Sequence, residues 1–242
     1  MTNVTQLFDA QQPDQRSTAI TKATQAIRQR DVIVLPTDTV YGIGADAFSP
    51  QAVAVLLAAK GRSRQSPPPV LIGNIQVLDA LAVDIPDTGR QLAQTFWPGA
   101  LTLIFNAQPS LTWDLGETRG TVALRLPDDE LAQQILQQTG PLAVSSANRH
   151  GQPAAVTIDQ AQDALGEVVS VYIDDGPRAE QQASTIVDCT VTPHRVLRSG
   201  AITIDQLRAV VPDVLDLEDP EPQSDGTTAT DESSSPEDSS SS

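Results

Sequence analysis

Along this chain, stretches with apolar residues at helical spacing alternate with short unbroken apolar runs, and this alternation sets the first expectation for the fold. Residues 16–30 carry Ala19, Ile20, Ala23, Ala26 and Ile27 on one helical face. Val32, Ile33, Val34 and Leu35 follow without a break, the pattern of a strand covered on both faces, and Pro36 ends its ladder pairing. Ser49 and Pro50 read as the N-cap and first residue of a helix that continues through AVAVLLAAK to Gly61. Further strands are expected at 69–72, 101–105, 121–126, 141–145, 168–173, 184–188 and 195–198. Helices are expected near 74–82, 87–96, 128–139, 157–165 and 203–211, with Pro127 and Gly140 bracketing the third and Thr157 and Thr203 capping the last two. Several strands follow one another without a helix, so the expected class is α/β (α+β type), a twisted mixed β-sheet flanked by helices.

Composition divides the chain. From Asp213 to Ser242 there are ten acidic residues, no Lys or Arg, and many Ser, Pro and Thr. Such a segment cannot bury enough apolar surface to offset its chain entropy, so a folded domain is expected over 1–212 and an acidic, Ser/Pro-rich disordered tail over 213–242. The ten tail acids account for −10 of the net charge of −16, leaving −6 on residues 1–212. The folded part is therefore only mildly acidic, and what a local cluster of Arg and Lys binds must be judged cluster by cluster. Cys189, the single cysteine, rules out an intramolecular disulfide, fits a reducing cytosol and reads as a small core residue at the end of STIVDC. His150 and His194 are not spaced as a metal pair, and no metal site is expected. The N-terminus lacks a basic region followed by an apolar stretch, and no run approaches the ~18 apolar residues of a membrane span. A cytoplasmic protein with no membrane partner is expected.

The segment DVIVLPTDTVYGIG places a strand before a loop with three hydroxyls (Thr37, Thr39, Tyr41), a carboxylate (Asp38) and two glycines (Gly42, Gly44) that would shape the loop or let it approach a ligand. Four other strand ends share this character: KGRSRQSPPP from Lys60, TVALR ending in Arg125, SSAN at 145–148, and STIVD at 184–188 paired with RSG at 198–200. Strand ends and their loops are where α/β sheets hold ligands, so five such edges could converge on one cleft. The fork of Arg suits phosphate and carboxylate oxygens, and Lys adds a point charge. Lys60 and Arg62 could instead be a solvated helix end that complements the macrodipole. Trp97 and Trp113 read as packing residues. The string GIGADA at 42–47 formally fits G-x-G-x-x-A, but PTDTVY separates it from the strand, and Arg62, Arg64 and Ser66 stand about 20 residues on, where a dinucleotide site needs an acid.

Together, PTDTVYGIG, KGR, WPGALT, TVALRLP, SSAN and STIVD followed by LRSG resemble, in order and spacing, the YrdC-like threonylcarbamoyl-AMP synthases, and best their short bacterial branch, over roughly residues 16–211. The resemblance implies a YrdC-like fold with a concave basic cleft, and a nucleotidyltransferase that joins L-threonine, bicarbonate or CO2 and ATP into threonylcarbamoyl-AMP and pyrophosphate. ATP would enter with Mg²⁺, and the product would pass to threonylcarbamoyl transferase machinery for N6-threonylcarbamoyladenosine at tRNA position 37. By motif, Thr39, Arg125 and Ser184 are implied to contact threonine, and Lys60, Arg62, Ser66, Thr121, Ser146, Asn148 and Arg198 to hold ATP. Lys60, Arg62 and Arg125 are implied to be the catalytic cations. The chain departs from the family pattern at Ser63, Pro68 and Ala100, at His150 and Ala154 after SSAN, and at Leu71, where longer members often have a threonine-contacting His. Two other readings stay open: a non-catalytic RNA-binding module that uses the basic cleft, and a paralogue with altered substrate.

Overall fold

The unbroken apolar run at 32–35 does form a strand buried on both faces, and the rest of the architecture is arranged about it. A computed structural model describes residues 4–178 and 182–220. In chain order the elements are β1 (Gln6–Asp9), α1 (Pro13–Arg28), β2 (Ile33–Leu35), β3 (Gly42–Asp46), α2 (Pro50–Lys60), β4 (Val70–Leu71), a 3-10 turn (Ile75–Val77), α3 (Leu78–Leu81), β5 (Ala82–Val83) and α4 (Asp87–Phe96). They continue with β6 (Leu101–Ala107), β7 (Thr121–Arg125), α5 (Glu130–Thr139), β8 (Leu142–Ser146), α6 (Ile158–Leu165), β9 (Val171–Asp174), β10 (Thr185–Asp188), β11 (Arg195–Arg198) and α7 (Ile204–Val210). The strands form one mixed sheet in the order β1-β9-β2-β3-β8-β4-β7-β6-β10-β11, with β5 added to β6.

Side-chain alternation splits the core in two. Val32 and Val34 pack on one face with Leu56 of α2, Leu92 of α4 and Leu207 of α7, while Ile33 and Leu35 pack on the other with Ile20 of α1 and Ile135 of α5. The smaller core takes in Leu71, Leu142 and Val144 but nothing from β7, β6 or β10. Since Leu103, Leu124 and Val187 belong to the larger core, alternation turns Thr102, Arg125 and Ser184 to the opposite face, beyond the reach of α1 and α5. That uncovered stretch of sheet is where the site lies.

Helix starts follow the sequence signals. The side chains of Ser49, Asp129, Thr157 and Thr203 accept hydrogen bonds from N–H groups in the first turns of α2, α5, α6 and α7, and Gly61 closes α2 with φ 65°. Trp97 is buried, with its indole N–H donating to the Leu101 carbonyl, and Trp113 stacks on Phe48. Cys189 is in the core as expected, where burial pushes its thiol pKa up.

Four expectations change. Gly42–Asp46 is a strand, paired antiparallel with both β2 and β8, rather than a ligand loop. Gly42 and Gly44 keep ordinary strand angles and serve packing: a Cβ on Gly42 would lie 2.6 Å from Val144 Cγ1, and one on Gly44 would lie 3.2 Å from a Leu35 methyl. β1 was not expected, because QLFD is short and half exposed. The helix expected over 74–82 is a 3-10 turn and one turn of α-helix, after which β5 pairs with β6. Residues 213–220, expected in the tail, pack on the body: Val214 is fully buried, Leu215 bridges to Arg195, and Asp219 pairs with Arg208 at 2.6 Å. The remainder of the expected tail, 221–242, lies outside the described residues.

Gly42→Ala should cost about 1–3 kcal/mol through overpacking against Val144, seen as a lower urea midpoint with unchanged m-value. A double-mutant cycle with Val144→Ala should give losses that are less than additive. Strict additivity would show that the two sites do not meet.

Candidate active site

Arg125 ends β7 with its side chain on the uncovered face, 6 % exposed. Its Nε donates to the Gly99 carbonyl at 3.0 Å, Nη1 to Thr39 Oγ1 at 3.2 Å and Nη2 to Asp38 Oδ1 at 2.5 Å. The segment at 37–40 is shaped to meet it by Thr37, whose hydroxyl donates to the Val40 carbonyl at 2.6 Å and accepts from the N–H groups of Thr39 and Val40. With the Thr37 proton committed there, the Thr39 hydroxyl donates to Thr37 and accepts from Arg125.

A second wall comes from β6, β10 and β11. The Thr102 and Ser184 hydroxyls lie 2.8 Å apart, and Arg198 donates through Nε and Nη2 to the Ser184 carbonyl and through Nη2 to the Ser184 hydroxyl. Among the described residues no carboxylate pairs with Arg198. Arg198 is exposed as a whole residue, but partial desolvation of its guanidinium, then the positive charges of Arg125 and Arg62, lower its pKa from the usual guanidinium value. Arg62 lines the same cleft with its Nε buried and without a hydrogen-bond partner.

The third wall is the SSAN segment, and Lys60 secures it from behind. Its side chain emerges fully buried from the last turn of α2 and donates to the carbonyls of Ser146 (2.5 Å) and Asn148 and to Asn148 Oδ1 (3.0 Å). Asn148 Nδ2 in turn donates to the carbonyls of Arg149 and Gln152. Lys60 is therefore not a solvated helix end; it ties α2 to SSAN. Burial and the nearby charge of Arg62 lower its ammonium pKa to about 7.

Of the residues implied by motif, Thr39, Arg62, Arg125, Ser146, Ser184 and Arg198 line one cleft, with Pro69, Leu71 and Val144 as its apolar wall. Lys60 and Asn148 support that lining without being part of it. Ser66 is exposed on the loop after α2, and Thr121, at the far end of β7, gives its hydroxyl to the Thr118 carbonyl; neither lines the cleft. Three contributors were not assigned a role from sequence: Asp38, Thr37 and Thr102. Thr102 was signalled by a polar residue inside LTLIF, and Asp38 by its place between two threonines of the same loop. A larger groove along the 148–156 segment, lined by Arg149, Gln160 and Asp163 among others, contains none of the three cleft arginines.

Comparison with known proteins identifies the family and the fold. A family model for Sua5, YciO and YrdC, described as telomere recombination, matches residues 25–200, and the chain belongs to that family. A Mycobacterium leprae relative, provisionally named a threonylcarbamoyl-AMP synthase, is 49% identical over 211 residues, covering 87% of this chain and 96% of its own length. The Bacillus subtilis threonylcarbamoyl-AMP synthase is 36% identical over 194 residues, covering 79% of this chain and 56% of its own length. The solved structure of Pyrococcus abyssi Sua5 complexed with L-threonine superposes with a TM-score of 0.77 at 32% identity, covering 81% of this chain and 58% of that one. Escherichia coli YciO superposes with a TM-score of 0.74 at 23% identity, over 84% and 99% of the two chains, and supports the fold. The chain thus spans nearly all of the M. leprae relative but little more than half of the B. subtilis and P. abyssi proteins. Among the described residues, no helix is long and apolar enough to cross a membrane.

Lys60 is charged below its lowered pKa and neutral above it, so the positive potential behind SSAN falls as pH rises through about 7. With sulfate as a non-titrating probe, anion affinity should weaken several-fold between about pH 6 and about pH 8.5. Lys60→Met should abolish that dependence; a flat wild-type profile would show that Lys60 does not titrate there.

Proposed function

We propose that this chain is a threonylcarbamoyl-AMP synthase, a nucleotidyltransferase that uses L-threonine, bicarbonate or CO2, and ATP and releases pyrophosphate. The observation that carries this reading is the convergence of Arg62, Arg125 and Arg198 on one cleft whose lining, among the described residues, includes no acidic side chain. Such a field of cations suits a polyanion and a carboxylate bound side by side.

The donors divide naturally between the two substrates. A guanidinium has five N–H bonds, and Arg125 has one each on Gly99, Thr39 and Asp38. Arg125 lines the cleft, and its two remaining N–H bonds would take the threonine carboxylate. Thr39 and Ser184 would meet the amino acid's polar groups, and Pro69, Leu71 and Val144 would pack its methyl group. Arg198 Nη1 and the orphaned Arg62 Nε would serve phosphate oxygens, next to the Ser146 hydroxyl.

The substrates supply the nucleophiles. The neutral threonine amine adds to CO2 and loses a proton to solvent, and an oxygen of the resulting carbamate then attacks the α-phosphorus, breaking its bond to the bridging oxygen and expelling pyrophosphate. The protein holds these groups in line and meets the charge that develops with cations already in place. Among the described residues no cluster of His, Cys, Asp and Glu is arranged to hold a metal, and Asp38 is occupied by Arg125. Magnesium would enter as the MgATP substrate, held by phosphate oxygens and water. The product would be consumed by the machinery that makes N6-threonylcarbamoyladenosine at tRNA position 37, in the cytoplasm.

Pyrophosphate release should require threonine, bicarbonate and ATP together, and turnover without threonine would reject the reaction. Salt-sensitive RNA binding with no pyrophosphate release would favour the RNA-binding alternative. Arg125→Ala should lower kcat/KM by about a hundredfold or more with an unchanged circular dichroism spectrum. Wild-type turnover in that variant would reject the role given to Arg125.

A further inference from the structure

Arg178 is not part of the cleft lining, yet it joins the start of α5 and residues 175–176 to Tyr41, which directly follows the 37–40 segment of that lining. Its guanidinium is 12% exposed and donates through Nη1 to Asp129 Oδ2 at 3.1 Å, through Nε and Nη2 to the Gly176 carbonyl at 3.2 and 3.1 Å, and through Nη2 to the carbonyl and carboxylate of Asp175. It also lies over the ring of Tyr41, 5.5 Å from the centroid. Its backbone N–H donates to the Val156 carbonyl at 2.8 Å.

Tyr41 is the partner that leads to the cleft walls, and Asp129 leads to α5. Tyr41 is fully buried directly after the 37–40 segment, and its hydroxyl donates to the Gly176 carbonyl at 2.7 Å and accepts from the Asp175 N–H at 3.0 Å. Its backbone accepts from Ala147 of SSAN and donates to the Ala155 carbonyl. Asp129 caps α5 through its other carboxylate oxygen. Three segments that are distant in sequence thus meet at one guanidinium.

We propose that Arg178 is a positioning residue for the amino-acid substrate: by locking Tyr41 against residues 174–176 and Asp129, it fixes where Asp38 and Thr39 stand against Arg125. Arginine suits this task because its planar fork can bridge two carboxylates while its face stacks on a ring, which a lysine ammonium cannot do at once. The surroundings require the cation. Asp129 is partly buried, and desolvation together with the charges of Asp175 and Asp38 raises its pKa, so without Arg178 these acids would repel one another and the segments they belong to. The other charged groups facing the knot are Asp174, beside the Tyr41 hydroxyl, and Arg16, 3.7 Å from Asp175.

This inference rests on the synthase reading, and the test separates the two. Pyrophosphate release is measured against threonine and against ATP in the 242-residue chain, for wild type, Arg178→Ala, Arg178→Lys and Arg208→Ala. Arg208→Ala is the control, since it breaks the exposed ion pair with Asp219 near the end of the described chain. Arg178→Ala should raise the threonine KM about tenfold, with kcat and the ATP KM within about twofold of wild type. Arg178→Lys, which keeps the charge but not the fork, should fall between the two. Arg208→Ala should leave the threonine KM unchanged. If Arg178→Ala does not fold, the lysine variant decides by the same readout. An unmoved threonine KM in the Arg178 variants, an equal rise in both KM values, or an equal rise in Arg208→Ala overturns the proposal. Threonine-independent turnover by wild type would remove the synthase reading and this inference with it.

Discussion

Positive charges do not gather in one cleft unless something other than opposite charge holds them, and that constraint organises this molecule. Arg62 and Arg125 are near enough to Arg198 to disfavour its charge. Among the described residues, only Arg125 of the three has a carboxylate partner, Asp38. Elsewhere the fold uses neutral oxygens: the Ser184 carbonyl for Arg198, and the carbonyls of Ser146 and Asn148 for the supporting Lys60. Neutral acceptors fix a cation's position without cancelling its charge, so the electrostatic demand for an anion remains after folding. A cleft lined with compensating carboxylates would pack more comfortably and bind polyanions poorly.

The sheet order makes this possible. β3, β8, β4, β7, β6 and β10 are consecutive neighbours although they are scattered through the sequence, and the polar segments sit at or beside their ends. Antiparallel pairing of β3 with β8 sets Gly42 opposite Ser146, which brings the segment after β2 next to SSAN. Parallel pairing of β6 with β10 sets Leu101 opposite Thr185, so Thr102 and Ser184 meet hydroxyl to hydroxyl. The two helices that cover the smaller core, α1 and α5, reach as far as β8 and β4, and the next strands offer their polar alternates to solvent and ligand.

Much of this was legible in the sequence, for identifiable reasons. Ser49, Thr157 and Thr203 announced helix starts because capping is local chemistry, and VIVL announced a doubly buried strand because periodicity is local too. The strand at Gly42–Asp46 was hidden because two glycines and the polar residues ahead of it imitate a loop. Their reason is the neighbouring bulk of Val144 and Leu35, which only the tertiary pairing reveals. Arg125 could be singled out as a charge ending an apolar strand, whereas its partnership with Asp38 spans 87 positions and leaves no local trace. Residues 213–220 looked like tail by composition, but Arg195 and Arg208 hold their carbonyls and the Asp219 carboxylate against the body, an arrangement set by residues outside the segment. Ser66 and Thr121 belong to the right motifs, yet strand length and loop direction put them beyond the cleft lining.

The places where the chain leaves its family's pattern have unequal consequences, because the fold uses some of those positions only through their backbone. At Ala100 the contribution is a carbonyl that accepts from the Thr185 N–H, beside the Gly99 carbonyl that holds Arg125, and a methyl group serves there as well as a ring. At His150 the backbone N–H donates to the Lys60 carbonyl, which any residue but proline could do. Leu71 differs in kind. Its side chain faces the cleft, is 2 % exposed, and sits in register with Arg125 on one side and Leu142 on the other. It can donate no hydrogen bond, so a substrate hydroxyl arriving at that wall would have to find its partner on the opposite side, among Thr37, Thr39 and Ser145. Selection for a β-hydroxy amino acid would then depend on the placement of the 37–40 segment more than on any residue of β4, which is why the bonds that hold that segment in place bear on specificity as well as on stability.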